Sequence, residues 1–126
     1  MTLRESGEDY LETILMLQRA HGAVRAVDIA NHLDVSKASV SKALSLLESN
    51  GYVEVVRRDV RLTDKGMAHA EEILERHVFF RDLLVACGVD AERAEEEGCH
   101  MEHTLSEESF KLLKAKMDAV LHPSTE

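Results

Sequence analysis

Residues 36–66 read SKASVSKALSLLESNGYVEVVRRDVRLTDKG, and their hydrophobic period changes twice. Val40, Leu44 and Leu47 recur at helical spacing behind Ser36, whose hydroxyl can cap, so a helix over 37–49 is predicted. Asn50-Gly51 then supplies the residue types that close helices. Tyr52–Val56 is β-branched and partly alternating, Arg57-Arg58-Asp59 forms a tip, and Val60–Thr63 reads as the return strand. Asp64-Lys65-Gly66 opens another helix. Serine is a mediocre helix former, so Ser36, Ser39, Ser41 and Ser45 are not placed there for helix propensity.

Upstream, Ser6-Gly7-Glu8-Asp9 offers a hydroxyl cap with a carboxylate three residues on. Tyr10, Leu11, Ile14, Leu15 and Leu17 then mark a first helix of about four turns, ending at His21-Gly22. A shorter helix runs from Val27 to Leu33 and is broken by Val35-Ser36. Downstream, the helix opened at Asp64 continues through Ile73, Leu74, Phe80 and Leu84 to Cys87-Gly88, with Cys87 read as a small buried residue. Glu92–Glu97 starts a further helix that continues or restarts around Cys99–Thr104. Ser106-Glu107-Glu108 caps a last one, with Phe110, Leu113 and Met117 on its inner face and a frayed tail from His122. The predicted fold is mainly α with a small β-hairpin: a winged helix-turn-helix lobe over 1–66 and a helical lobe over 67–126.

The chain has 126 residues, 44% apolar and 31% charged, with a single proline. That composition builds a core and argues against disorder or a disulfide-stapled miniature. Aromatics are 4% and tryptophan is absent, which counts against a base-stacking surface for single strands. No apolar run approaches the roughly 20 residues that span a bilayer, and the N-terminus has no signal-like apolar segment. Cys87 and Cys99 read as free thiols of a cytoplasmic chain. Charge is unevenly shared. Residues 1–66 carry nine Lys/Arg against ten Asp/Glu, whereas residues 67–126 carry six against fourteen. Over 36–65 the balance is six against four, so the front half suits a polyanion while the back half calls for cations.

A helix that enters a DNA groove about 12 Å wide must present small, donor-bearing side chains opposite its core stripe. Ser36, Lys37, Ser39, Ser41 and Lys42 meet that demand, and no carboxylate intervenes between Ser36 and Leu47. Arg57 and Arg58 at the hairpin tip suit the adjacent backbone or minor groove. A plain solvated helix beside an ordinary hairpin is the bland alternative. The element order favours double-stranded DNA.

A second cluster is Cys99-His100-Met101-Glu102-His103. On a helix, Cys99, Glu102 and His103 fall at i, i+3 and i+4, so a thiolate, a carboxylate and an imidazole converge on one face. Donors of such mixed softness hold first-row divalent ions. Asp9 and Glu12 stand at i and i+3 on the first helix, off its core stripe, and His77 sits between apolar turns of the long helix. Singly, each has a bland reading: a cap partner, a solvated carboxylate, a core histidine. Together they make a six-ligand candidate metal set. His100 points away from Cys99 and reads as surface.

In SGEDYLETI, DVSKASVSKALSLLESNGYV, LTDKG, the histidine of ERHVFFRDLL, and CHMEHTLS, the chain resembles the metal-dependent repressors of the diphtheria-toxin-repressor and manganese-transport-regulator type (DtxR/MntR). The similarity extends over about residues 6–121. It implies a homodimer built from the C-terminal helices, making residues 67–126 a metal-binding and dimerisation lobe. It also implies a palindromic operator and activation by Mn(II) or Fe(II). Carried over by position, Asp9, Glu12 and His77 match ligands of the manganese-type members, and Glu102 and His103 match ligands of both branches. Cys99 matches the iron type, where manganese-type members have glutamate, while iron-type members place methionine at the position of Asp9. The chain is thus a hybrid. Its thiolate leans the choice towards iron. Many iron-type members carry a third, SH3-like domain, for which 126 residues leave no room. Two rivals stand beside this reading: a metal-independent winged-helix regulator sensing an organic ligand, and a small metalloenzyme, which would need an open coordination position and a substrate cleft.

Overall fold

A computed structural model describes residues 5–122. In chain order it contains α1 (Glu5–His21), α2 (Ala26–Leu33), α3 (Lys37–Ser49), β1 (Val53–Val56), β2 (Asp59–Leu62), α4 (Asp64–Ala86), α5 (Ala91–Met101) and α6 (Glu107–Leu121). The mainly helical architecture with one antiparallel hairpin is the one predicted. Ser6 lies inside α1 rather than capping it, and the predicted fraying beyond His122 falls outside the described residues. No helix among the described residues is long and apolar enough to cross a membrane. The chain divides into two compact units, one up to Glu72 and one from Ile73 onward, so α4 begins in the first and ends in the second.

In the first unit, α1 contributes buried Leu11, Ile14 and Leu15, α2 contributes Ile29 and Ala30, and α3 seats Val40, Leu44 and Leu47. The turn between α2 and α3 is tight. Asp34 closes α2 in the left-handed conformation at φ 55°, which Asp tolerates better than most residues, and Ser36 Oγ accepts the Ser39 N–H at 3.1 Å to start α3.

The hairpin pairs Val53 with Leu62 and Val56 with Asp59, leaving a two-residue loop of Arg57 and Arg58. The tip is one residue shorter than predicted because Asp59 is held in β2. Its carboxylate accepts from the Val24 N–H at 3.1 Å and from Arg61 Nε at 2.8 Å, while the Val60 N–H donates to the Val24 carbonyl at 2.7 Å. The Arg61 hydrogen bond, followed by that from Val24, keeps the Asp59 carboxyl below its ordinary range. Val24 thus stitches the hairpin to the segment before α2.

The LTDKG stretch is a knot between the hairpin and α4. Thr63 Oγ1 accepts the Gly66 N–H at 3.1 Å and donates to the Gly51 carbonyl at 2.6 Å. Lys65 Nζ reaches the Asn50 carbonyl at 2.9 Å and lies 4.3 Å from the centre of the Tyr52 ring. Gly66 sits so close to the residue leading into β1 that an added Cβ would fall 1.9 Å from the Tyr52 carbonyl oxygen, a backbone atom that has no flexible retreat.

In the second unit, Phe79 and Phe80 of α4 pack on Phe110 of α6, with ring centres 5.2–5.9 Å apart, and Leu83, Met101, Leu105, Leu113 and Met117 close around them. The Phe79–Phe80 and Phe79–Phe110 pairs meet edge-on, and such pairs each add about 0.5–1.5 kcal/mol beyond simple burial. The buried Arg76 donates to the carbonyls of Glu102, at 3.2 Å, and Leu105, at 2.6 Å, and its guanidinium lies 5.0 Å from the Phe110 ring centre. It thereby satisfies carbonyls that the end of α5 leaves open. Cys87 is exposed, not buried as expected: α4 runs out at Ala86 and the thiol falls in the turn before Gly88.

Replacing Gly66 by Ala will destabilise the first unit by about 1–3 kcal/mol, the usual cost of forcing atoms into a packed contact. Urea unfolding checks this; a midpoint equal to wild type would mean that the Tyr52 carbonyl yields freely.

Candidate functional site

The residues marked for DNA contact share one property: Ser36, Lys37, Ser39, Ser41, Lys42, Arg57 and Arg58 are all exposed. Lys37 and Lys42 lie on α3 away from the buried Val40 and Leu44, and neither they nor the two arginines form an ion pair with another described residue. Ser36 has a second employment, since its hydroxyl caps α3 and donates to Ser39 Oγ at 2.9 Å. Arg57 and Arg58 both have positive φ, 53° and 69°, which with the two-residue loop defines a type I′ turn. That turn favours Asn-Gly, and the left-handed conformation costs an ordinary L-residue roughly 1–2 kcal/mol. Two arginines in a row there are a strained choice for the fold alone.

The candidate metal ligands divide between the units. Asp9 and Glu12 stand one turn apart on α1 in the first unit. Asp9 is half-buried and Glu12 is 6% exposed, so Glu12 is more enclosed than a position off the core stripe would be. His77, Cys99, Glu102 and His103 belong to the second unit, and there the chain brings them together.

α5 is a single helix to Met101. Glu102 is its C-cap residue, still with helical backbone angles, and His103 follows in the turn. The i, i+3, i+4 spacing read from the sequence therefore survives although the helix ends inside it. Gly98 sets the depth of the packing: a Cβ there would lie 3.1 Å from the Arg81 backbone nitrogen, so a larger residue would lift α5 off α4. With Gly98 in place, one donor atom each from Cys99, Glu102 and His103 lie within 4.8 Å of one another, and so do those of His77, Cys99 and Glu102. His77 Nδ1 is 3.2 Å from Glu102 Oε2, and His103 Nε2 is 3.3 Å from Glu102 Oε1. The Cys99 thiol is not in a disulfide.

Glu102 is the centre of this group. It is 1% exposed, and neither carboxylate oxygen completes a well-aligned hydrogen bond among the described residues. Burial, the largest influence on it, pushes its carboxyl up, but the contacts and positive charge of His103 and His77 outweigh that and hold it below the usual carboxylate value. The Arg76 guanidinium is bonded to the Glu102 carbonyl. A buried carboxylate beside a thiol and two imidazoles, with lone pairs still to satisfy, is a donor set that fits a first-row divalent cation.

Sequence reading passed over two residues here. Arg76 holds the carbonyls of Glu102 and Leu105, a role without a sequence signature. Glu95 places Oε1 2.6 Å from His77 Nε2 and Oε2 3.7 Å from Arg81 Nη1. Its position four residues before Cys99 and seven before Glu102 was the available clue, masked by the surrounding run of glutamates.

Comparison with known proteins agrees with both halves of this description. Residues 2–59 match the family profile "Iron dependent repressor, N-terminal DNA binding domain", and residues 63–124 match "Iron dependent repressor, metal binding and dimerisation domain". The chain is 39% identical over 120 residues to the transcriptional regulator MntR of Escherichia coli O157:H7, covering 92% of this chain and 77% of the relative. It is 33% identical over 119 residues to an uncharacterized HTH-type transcriptional regulator of Methanocaldococcus jannaschii, covering 92% and 95%. Among solved structures it superposes on T. acidophilum IdeR with a TM-score of 0.77 at 31% identity, covering 93% of this chain and 55% of that one. It also superposes on a manganese-dependent transcriptional repressor in complex with manganese, with a TM-score of 0.79 at 28% identity, covering 91% and 52%. The chain therefore spans about half the length of those two structures. It belongs to the iron-dependent repressor family, of the diphtheria-toxin-repressor and manganese-transport-regulator type, and is a metal-dependent, DNA-binding transcriptional regulator rather than an enzyme.

Proposed function

We propose that this protein is a cytoplasmic homodimeric repressor of metal-ion homeostasis genes that grips a palindromic operator when loaded with Fe(II) or Mn(II). The observation that carries the reading is the Glu102 carboxylate, 1% exposed among His77, Cys99 and His103. Residues 1–66 act as the reading head and residues 67–126 as the metal-binding and dimerisation part. Support for the dimer comes from the family description of the C-terminal half and from Val85, Leu112 and Val120, apolar side chains left 46%, 68% and 63% exposed on α4 and α6.

Six residues form the proposed ligand set: Asp9, Glu12, His77, Cys99, Glu102 and His103. Asp9 and Glu12 are included because they stand one turn apart on α1, are withdrawn from solvent, and match ligand positions of the manganese-type members. When bound, the cation supplies the positive charge that lets these carboxylates coexist. Since α1 supports the reading head, sharing one charge centre with the C-terminal half narrows the separations the two α3 helices can take. A palindrome asks for a spacing near one helical turn, about 34 Å. Only a difference in metal affinity between the competent and incompetent arrangements can drive the switch, and a coupling of about 1–3 kcal/mol gives a 5- to 150-fold gain in operator affinity. Cys99 favours iron over manganese by softness and by the Irving–Williams order. Ser36, Lys37, Ser39, Ser41 and Lys42 face the major groove, and Arg57 and Arg58 take the flanking backbone or minor groove.

Operator binding measured by fluorescence anisotropy with Fe(II), with Mn(II) and in chelator will differ by that 5- to 150-fold factor. Glu102→Ala and His103→Ala will lose the activation yet keep weak, salt-sensitive binding. Cys99→Glu will move the preference towards Mn(II). Equal affinity in chelator would remove the switch. At the hairpin, the double change Arg57→Asn, Arg58→Gly will raise thermal stability by about 1 kcal/mol or more while weakening operator binding, because it relieves left-handed strain and removes two cations. The log–log salt slope will fall by about 1 for each arginine that neutralises a phosphate. An unchanged affinity and slope would take the hairpin out of the interface.

A further inference from the structure

His77 is gripped from both edges of its ring. Its side chain is 6% exposed, Nδ1 stands 3.2 Å from Glu102 Oε2, and Nε2 stands 2.6 Å from Glu95 Oε1. The second distance is that of a short, charge-assisted hydrogen bond. A carboxylate accepts and cannot donate, so the ring proton in that bond belongs to Nε2. While the ring is an imidazolium it carries an N–H at each edge; once the Nδ1 proton leaves, the N–H that Glu95 retains at Nε2 turns the Nδ1 lone pair towards Glu102 and Cys99.

We infer that Glu95 is a positioning residue for the metal centre: it fixes the tautomer and ring plane of His77 so that Nδ1 is the ligating atom. The inference rests on the reading of His77 as a ligand. Three features support the assignment. Glu95 approaches the edge of the imidazole opposite the one that faces Glu102, so it lies behind the ligand and not among the donors. Its other oxygen looks towards the Arg81 guanidinium, 3.7 Å away, and a neighbouring fixed cation disfavours a metal ion at Glu95 itself. The backbone beneath the arrangement is anchored, since Gly98 brings α5 within a Cβ contact of Arg81, the residue one turn beyond His77 on α4. A carboxylate behind a ligating histidine also raises the basicity of the nitrogen on the metal side, and loss of such a partner costs about 10- to 100-fold in metal affinity.

The test uses Glu95→Ala and Glu95→Gln in the full chain, at a side chain half exposed to solvent where truncation leaves the core intact. Long-range nitrogen–proton NMR of the metal-free protein, above the imidazole titration range, reads the tautomer of His77. Wild type will show the Nε2–H form. Glu95→Ala will admit the Nδ1–H form, and so will Glu95→Gln, whose amide can turn its oxygen to Arg81 and donate its NH2 to Nε2. Calorimetry with Mn(II) alone will give Glu95→Ala an affinity weaker by about 10- to 100-fold at unchanged stoichiometry, and Glu95→Gln, which lacks the carboxylate charge, will be weakened in the same direction. An unaltered tautomer in Glu95→Ala overturns the inference. A lost equivalent of Mn(II) also overturns it, because Glu95 would then be a ligand. His77→Ala separates the underlying reading. If it binds Mn(II) as wild type does, His77 is not a ligand, and Glu95→Ala would then shift the tautomer without touching the affinity.

Discussion

A carboxylate as deeply enclosed as Glu102 stays ionised only if positive charge reaches it, and taking an ion out of water costs several kcal/mol before any partner is counted. Much of the second unit is arranged around that demand. Gly98 lets α5 approach α4 closely enough for His77 to face the carboxylate, and Arg76 ties down the chain that carries Glu102 by its carbonyls. His77 and His103 supply positive charge from two sides, and the Cys99 sulfur adds a soft donor. Histidines that neutralise a buried carboxylate can surrender that task to a divalent cation. On the proposed reading, such a site holds together without metal and still accepts one.

The first unit shows the complementary use of strain. Its core is conventional, with Leu11, Ile14, Ile29, Val40 and Leu44 meeting at helical spacings. Its hairpin tip is not: Arg57 and Arg58 occupy backbone angles that glycine or asparagine would adopt at lower cost. The fold tolerates them because Asp59 is fastened to Val24 and Arg61, and because the LTDKG knot anchors the base of the hairpin to α4. Residues kept in costly conformations at an exposed tip point to use of their charge outside the chain. A protein of net charge −9 thus still carries, among its described residues, four exposed cations outside any ion pair on α3 and the hairpin: Lys37, Lys42, Arg57 and Arg58.

The helices, the hairpin and the α3 cap were legible in the sequence because each carries a local signal: the period of Val40, Leu44 and Leu47, the hydroxyl of Ser36, the alternation after Tyr52. The donor set was legible through the spacing of Cys99, Glu102 and His103, which persists because Glu102 keeps helical angles as the C-cap of α5. What stayed hidden depends on contacts distant in sequence. Asp59 joins β2 because of Val24, 35 residues earlier. Ser6 has the composition of a cap yet lies within α1, and Cys87 has the composition of a core residue yet falls just past the end of α4. Glu95 could not be told from its neighbouring glutamates until the ring of His77 was placed beside it.

The central claim is that Glu102 is the anchor of a divalent-cation site, and anomalous diffraction at the metal edge from crystals of Mn(II)-loaded protein, or of anaerobically Fe(II)-loaded protein, tests it most directly. The account predicts a peak at bonding distance from a Glu102 carboxylate oxygen, with Cys99 and His103 among the co-ligands. A fully loaded protein whose metal lies elsewhere, with the Glu102 carboxylate touching only protein atoms, would contradict it.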